Sequence, residues 1–275
     1  MTKELIGEII KIDVEKGKRE NKSINNVPYK RVLSIVSPLI LLLVWEVLVR
    51  IHVLDSRFFP APTRILMAMW EMIKSGILFS DLKISLTRIF GGFLIGAVPG
   101  LIIGLTMGLF PAVKVILDPV IAATYPIPKL ALMPLIMIIF GLTEIEKMVV
   151  IALGTFFLVL INTVAGVVNL DTIYWDVAKN YGASKKDYYL TVALPGALPM
   201  IFTGIKLGMG TALMLIVASE MNGATQGVGY RIWESYSIFN IPEMYVSFIV
   251  MSLLGYIFTV VLDELERVII PWKHD

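Results

Sequence analysis

Groups able to make or break bonds are scarce in this chain, and those present stand apart from one another. There are no cysteines, which excludes thiol catalysis, thiolate metal sites and disulfides. The only histidines are His52 and His274, too few for a histidine-based metal centre within one chain, so no metal is expected. The sequence has no cluster of histidine with carboxylates, no arguable Ser/His/Asp set and no Gly-x-x-x-x-Gly-Lys-[Ser/Thr] phosphate loop. It is therefore not expected to be an enzyme, or to hold ATP in that manner. What remains is a few ionisable residues inside apolar stretches. Glu46 and Lys206 have no visible partner in the sequence and receive no role. Lys129 lies among Pro126, Pro128 and Pro134. Each proline removes a backbone donor and disturbs a helix. Broken helices at membrane depth are tolerated where they are buried in protein or line a wet cavity. These four residues are the candidates for lining a pathway, although Lys129 could equally snorkel to the membrane surface.

The elements that position these residues follow from composition. Of 275 residues, 57% are hydrophobic and 17% charged, where a soluble domain carries about 25% charge. A spanning helix needs about 20 mostly apolar residues. Six such runs can be drawn: 32–51, 82–109, 113–140, 147–168, 197–219 and 244–270. The expected fold class is an all-α membrane protein of six transmembrane helices. Residues 1–31 are read as a polar N-terminal tail, and 32–275 as the membrane domain. Leu5, Ile6, Ile9, Ile10 and Ile12 recur at roughly helical spacing in the tail, compatible with a surface helix or with a partly ordered segment.

Orientation follows lysine and arginine placement. The tail carries Lys3, Lys11, Lys16, Lys18, Arg19, Lys22, Lys30 and Arg31, which places both termini of a six-span chain in the cytoplasm. The connection 169–196, with Lys179, Lys185 and Lys186, then lies inside as well. Arg57, Arg64 and Lys74 on the first external connection run against this assignment; the stretch Pro62 to Ser75 there is expected to be an interfacial amphipathic helix. Net charge is only +2, so no nucleic-acid partner is expected.

Two further patterns stand out. Gly92, Gly96, Gly100, Gly104 and Gly108 form a ladder four residues apart, a spacing that lets a neighbouring helix approach closely. Glu220 comes after the fifth span at the expected outer surface, and the glycine-rich stretch beyond it contains Tyr230, Trp233 and Tyr236. Glu220, Gly223, Gly227 and Tyr230 are the candidates for an extracytoplasmic gate within 220–236. A simple surface connection is the plainer alternative.

The most informative stretch is DTIYWDVAKNYGASKKDYYLTVALPGALP, from Asp171 to Pro199. Asp171 or Thr172 can cap a helix start, and Ile173, Tyr174, Val177, Ala178 and Tyr181 make one apolar stripe. Gly182 is suited to end that helix in the left-handed conformation. Ser184 to Asp187 reads as a loose capping box for a second helix. Pro195 and Pro199 are expected to stop or kink the chain beyond it.

This stretch resembles the cytoplasmic EAA loop of ABC importer permeases: E-A-A, three residues, G, nine residues, then I-x-L-P. The corresponding residues here are Asp176, Val177 and Ala178, then Gly182, then Val192, Leu194 and Pro195. Aspartate replaces the glutamate and valine the first alanine. The region from Pro60 to Trp272 looks like the nitrate/sulfonate/taurine/bicarbonate branch, on the pieces PAPTRIL, SLTRIFGGFLIG, YPIPKLALMPL, ASEMNGATQGVGY and LERVIIPW. The resemblance implies a type I ABC importer permease fold with a cytoplasmic coupling helix in 171–195. It also implies a bacterial cytoplasmic (inner) membrane location. It implies two ATPase subunits that carry ATP and Mg, a second permease copy, an extracytoplasmic substrate-binding protein, and no cofactor on this chain. The second copy is expected to be identical, because one chain holds a full set of spans. A sulfonate- or taurine-like anion is the favoured solute, with nitrate, bicarbonate or a heterocyclic vitamin precursor as alternatives. An ion-coupled secondary transporter is the competing class. It would explain the spans and Lys129 but not the EAA spacing, and it usually carries internal repeats, of which none is clear here.

Overall fold

The computed structural model describes residues 27–272, and all its regular elements are helical. The tail helix considered at Leu5 to Ile12 and His274 fall outside the described residues. The chain divides after Arg64 into two units. The first contains helix α1 (Val27–Arg50) and the turn leading to α2 (Pro62–Lys74). Here Glu46 gains the partners that the sequence does not reveal. It accepts from Arg50 Nε at 2.7 Å, from Thr63 N at 3.1 Å and from Thr63 Oγ1 at 3.0 Å. In the same turn Asp55 and Arg57 pair at 2.7 Å, and the arginine holds the Asp55 carboxyl down at about 2.

The second unit holds α3 (Ile77–Leu109), α4 (Pro111–Thr124), a 3-10 turn (Lys129–Leu132), α5 (Met133–Phe140) and α6 (Glu144–Val168). After these come α7 (Thr172–Asn180), α8 (Lys185–Tyr188), a π-turn (Tyr189–Ala193), α9 (Leu194–Met221), α10 (Val228–Ser237) and α11 (Ile241–Ile269). Four helices are long and apolar enough to cross a membrane: α3, α6, the continuous run Lys186–Met221, and α11. The pair α4 and Lys129–Phe140, bent by 82°, makes a fifth if taken as one broken span. The first expected span, 32–51, overlaps α1.

The glycine ladder explains the core. A Cβ at Gly92 would meet Ile151, at Gly96 the carbonyl of Ala152 at 2.3 Å, at Gly100 that of Phe156, at Gly104 Thr163 and at Gly108 Val167. Partner numbers rise together with the ladder, so α3 and α6 run parallel, the glycines of α3 meeting carbonyls and side chains of α6 from Gly92 to Gly108. Within a bilayer lipid is as apolar as leucine, so close packing rather than burial from water holds such a pair. Parallel neighbours also require the segment between them to return the chain to its starting side, which the bent pair does. On the other face of α6, Gly166 meets Ala197 and Met200, Gly204 meets Asn162, and Gly154 meets Leu215. These partner numbers run in opposite directions, so α9 is antiparallel to α6. Ile89, Phe93, Val150, Ile151, Val159, Met209, Ala212 and Ile216 fill the space between the three helices, with Met133 and Ile136 of α5 against them.

The bend has a local cause. Pro126 and Pro128 cannot donate, and Pro134 opens α5 in its first turn. Lys129 Nζ folds back onto the carbonyls of Thr124, Tyr125 and Ile127 at 3.2, 2.8 and 2.9 Å. It thereby satisfies acceptors left open where α4 ends, and lies 4.3 Å above the Phe157 ring.

Candidate functional site: the two ends of the bundle

The antiparallel and parallel pairings bring the starts of α3 and α6 and the finish of α9 to one end. There a charged network is built around two buried groups, with Glu144 at its exposed edge. Arg88 of α3 donates through Nη2 to Glu144 Oε1 at 2.7 Å, and through Nη1 to Glu220 Oε1 and the Gln226 carbonyl, both at 2.7 Å. The side chains of Arg88 and Glu220 are 3% and 1% exposed. Buried charges persist only when paired and hydrogen-bonded, and here each has several partners.

Apolar length alone ends the fifth span at Ser219; in the structure the helix runs on through Glu220, whose side chain is buried. Glu220 lies in the last turn of α9, enclosed by α3 and α10. Its carboxylate accepts from Ser85 Oγ at 2.8 Å and from Gly229 N at 2.8 Å. Ser85 Oγ in turn accepts from Val228 N at 2.9 Å, and Asp81 accepts from Gly227 N at 2.9 Å. Three successive amides at the start of α10, orphans of any helix N terminus, are thus capped by side chains of α3 and α9. Gly227 (φ 124°) has no room for a side chain, since a Cβ would lie 2.5 Å from the Glu220 carboxylate. Arg231 donates to Asp81 at 2.9 Å and pairs with Glu234. Burial opposes the charge on Arg231, but these carboxylates hold its pKa above the ordinary value. Tyr230 is half-buried and donates to Glu234 at 3.1 Å, a bond that holds the phenol's pKa up. Gly223 (φ 97°) is exposed and packs on Leu142.

A second buried layer adjoins the first. Lys147 donates to the Thr143 carbonyl at 3.2 Å and lies 3.4 Å from Glu146, which also accepts from Ser219. Asp81, Ser85, Arg88, Glu144 and Arg231 do not stand out in the sequence. The available signal is an arginine inside an apolar run, the same signal that draws attention to Lys129. Among the described residues, no group of three or more histidines, aspartates or glutamates is placed to hold a metal ion.

The opposite end carries 171–195. Asp171 caps α7 by accepting from Ile173 N at 2.9 Å. Gly182 comes next at φ 75°, with Gly182 N bonded to Lys179 O and Ala183 N to Ala178 O, both at 3.0 Å. This paired closure is the Schellman arrangement, with glycine in the left-handed position. Ser184 and Asp187 exchange both bonds of a capping box, at 3.2 and 3.1 Å. Pro195 and Pro199 do not stop the second helix. A π-turn, Tyr189–Ala193, precedes Pro195, and the helix continues through both prolines to Met221. Val192 lies in that π-turn, and Leu194 and Pro195 open α9. Tyr189 Oη donates to the Leu109 carbonyl at 3.3 Å and its ring packs against Phe110. Trp175 meets Tyr188 edge-on at 4.7 Å. The loop is thereby tied to the end of the ladder helix. Its outward residues are apolar: Ile173, Tyr174, Val177 and Tyr181 are all exposed, Tyr181 at 89%. Asp176 is exposed and Ala178 half-buried.

Residues 96–274 match the family model described as binding-protein-dependent transport system inner membrane component. The chain is 33% identical over 241 residues to a putative aliphatic sulfonates transport permease protein of Bacillus subtilis, covering 88% of this chain and 87% of the relative. The chain belongs to this family of transport-system membrane components. A taurine transport system permease protein of Escherichia coli is 31% identical, covering 88% of this chain and 90% of the relative. A nitrate import permease protein of Leptolyngbya laminosa is 29% identical, covering 76% and 78%. These relatives place the chain in the sulfonate, taurine and nitrate branch of ABC permeases. A solved inward-facing MetNI methionine ABC transporter aligns with TM-score 0.52 at 20% identity, covering 73% of this chain and 97% of that one. That likeness shows the fold, an ABC importer permease fold. The chain is a multi-pass membrane protein of a transport family in which ATP hydrolysis belongs to a separate subunit.

Proposed function

We propose that this chain forms the translocation pathway of an ATP-driven importer for a small anion, a sulfonate or taurine-like solute first. In this reading it is driven by a separate ATPase docked on 171–195. The exposed apolar stripe of α7 carries this reading. Four apolar side chains facing solvent on a short helix are costly unless a partner covers them, and the capped helix, Schellman turn and capping box make that helix rigid. The names of the relatives support the solute class. Asp176, Val177, Ala178, Gly182, Val192, Leu194 and Pro195 form the coupling element, which transmits motion by packing. Six spans, with α1 as the first and the bent pair as the third, put both termini and the coupling element in the cytoplasm. The Arg88–Glu220 end then faces outward, with Glu220, Gly223, Gly227 and Tyr230 in the gate and Pro126, Pro128, Lys129 and Pro134 beside the pathway. Two identical copies assemble with two ATPase subunits, which hold ATP and Mg, and a binding protein delivers the solute.

Reconstitution of the chain with its ATPase and binding protein in liposomes tests this. ATP-dependent uptake of ethanesulfonate or taurine is the expected result. Uptake driven by an ion gradient without the ATPase would replace it with a secondary transporter, and a purified complex with two different permease chains would overturn the homodimer.

A further inference from the structure

Midway along α9 stands a charged group that the proposed function does not use. Lys206 pairs with both Asp263 and Glu266 of α11. It is 12 residues into α9, about 18 Å from Leu194 at 1.5 Å per residue, inside the stretch of α9 apolar enough to span a membrane, and its partners lie in the last two turns of α11. The Asp263 side chain is 55% exposed and that of Lys206 29%. Exposed ionic groups at membrane depth face protein or water, not lipid. Beside them is a groove of about 230 Å³ between α9 and α11, lined by Lys206, Gly210, Gly255 and Thr259 among apolar residues. The exposed stripe of α9 that passes this groove is Thr203, Leu207, Gly210 and Met214. It differs from the exposed face of α3, which is bulky throughout at Phe90, Leu94, Val98 and Ile102. A lipid-facing surface has the second composition. The first leaves room, and at Gly210 an added Cβ meets nothing within 4 Å.

We propose that this face of α9 lines the translocation pathway and that Lys206 is the point at which the solute's anionic group is bound in transit. The inference rests on the proposed import of a small anion. Between two carboxylates the ammonium is not an open anion trap. A sulfonate competes with Asp263, the more exposed partner, while Glu266 keeps Lys206 in place. Binding is then weak enough to release, as conduction requires.

The absence of cysteine in the chain allows a direct test. In the reconstituted complex, Gly210→Cys is labelled with an anionic reagent, sulfonatoethyl methanethiosulfonate, and a cationic one, its trimethylammonium counterpart. Both should react from water, ethanesulfonate should slow the reaction several-fold, and Leu94→Cys should react with neither. The preference for the anionic reagent should fall in Lys206→Met and rise in Asp263→Asn, with protection by ethanesulfonate lost in the first and strengthened in the second. The shift in reagent preference reports only the local charge; a purely structural ion pair would leave protection by ethanesulfonate the same in both variants, which would overturn the proposal. So would reaction of Gly210→Cys only with membrane-permeant N-ethylmaleimide, or a direct disulfide between two copies at that position. ATP-driven uptake is measured on the same samples. If the unsubstituted complex takes up no sulfonate, the solute assignment fails, while the labelling map still decides whether this face is wet.

Discussion

At the end of the bundle where α3 and α6 begin, Arg88 and Glu220 are almost wholly enclosed, and three α10 amides are capped by residues more than a hundred positions away or on a neighbouring helix. At the other end, α7 and α8 satisfy their backbone groups locally, through Asp171, the Gly182 turn and the Ser184–Asp187 box, and leave Ile173, Tyr174, Val177 and Tyr181 in the open. One end consumes its polar groups in holding tertiary structure. The other is a locally stable piece whose apolar side chains remain available. The contrast teaches where damage should be structural and where it should be functional.

The largest effect tests the enclosed end. Arg88→Met leaves the Glu220 carboxylate buried without its cation, and breaking such a pair costs about 3–5 kcal/mol. A marked fall in thermal unfolding temperature of the purified chain is expected; an unchanged temperature would break the comparison. Next comes the ladder joining the ends. In Gly96→Val the added side chain meets the Ala152 carbonyl, and overpacking of this kind costs about 1–3 kcal/mol. Thermal unfolding together with a disulfide pair engineered across α3 and α6 would register the separation.

A smaller loss of stability, with a larger loss of function, is expected at the open end. Gly182 sits at φ 75° with nothing within 4 Å of an added Cβ, so Gly182→Val is penalised through the backbone alone, by about 1–2 kcal/mol. ATP hydrolysis should persist while uptake falls, and Gly182→Asn, which tolerates this conformation better, should recover most of it. Normal uptake in Gly182→Val would count against 171–195 as the coupling element. Least disruptive to the fold is Tyr181→Ser, an exposed change expected to stay within about 0.5 kcal/mol. Its measurable consequence is weaker co-purification of the ATPase.

The same contrast explains what can be read from the sequence. The open end is legible because its caps and turn lie within a few residues: Asp171 with Ile173, Ser184 with Asp187, glycine at the turn. The main spans and the ladder are legible because apolar length and four-residue spacing are local patterns. The enclosed end is not. Arg88 meets Glu220 132 residues away and Arg231 meets Asp81 150 away, and no spacing encodes such encounters. Lys206 lacks a visible partner in the sequence for the same reason, its partners Asp263 and Glu266 lying on another helix. The prolines mislead in a different way. Pro195 and Pro199 remove donors as expected, but Pro195 falls in the first turn of α9, just after the π-turn, where its N–H is not needed, and the helix runs on past Pro199 to Met221.

That continuity has a mechanical consequence. From Lys186 to Met221 the chain is one uninterrupted helical run of 36 residues, about 54 Å long at 1.5 Å per residue. It carries the loop at one tip and Glu220 at the other. A rod of that length is a lever: a tilt of about 5° pivoted at Lys186 sweeps the Glu220 tip through about 5 Å, more than the reach of any hydrogen bond in the Arg88 network. An angular change too small to disturb packing near the pivot is therefore large enough, at the far tip, to break the contacts of Glu220 with Arg88, Ser85 and the Gly229 amide.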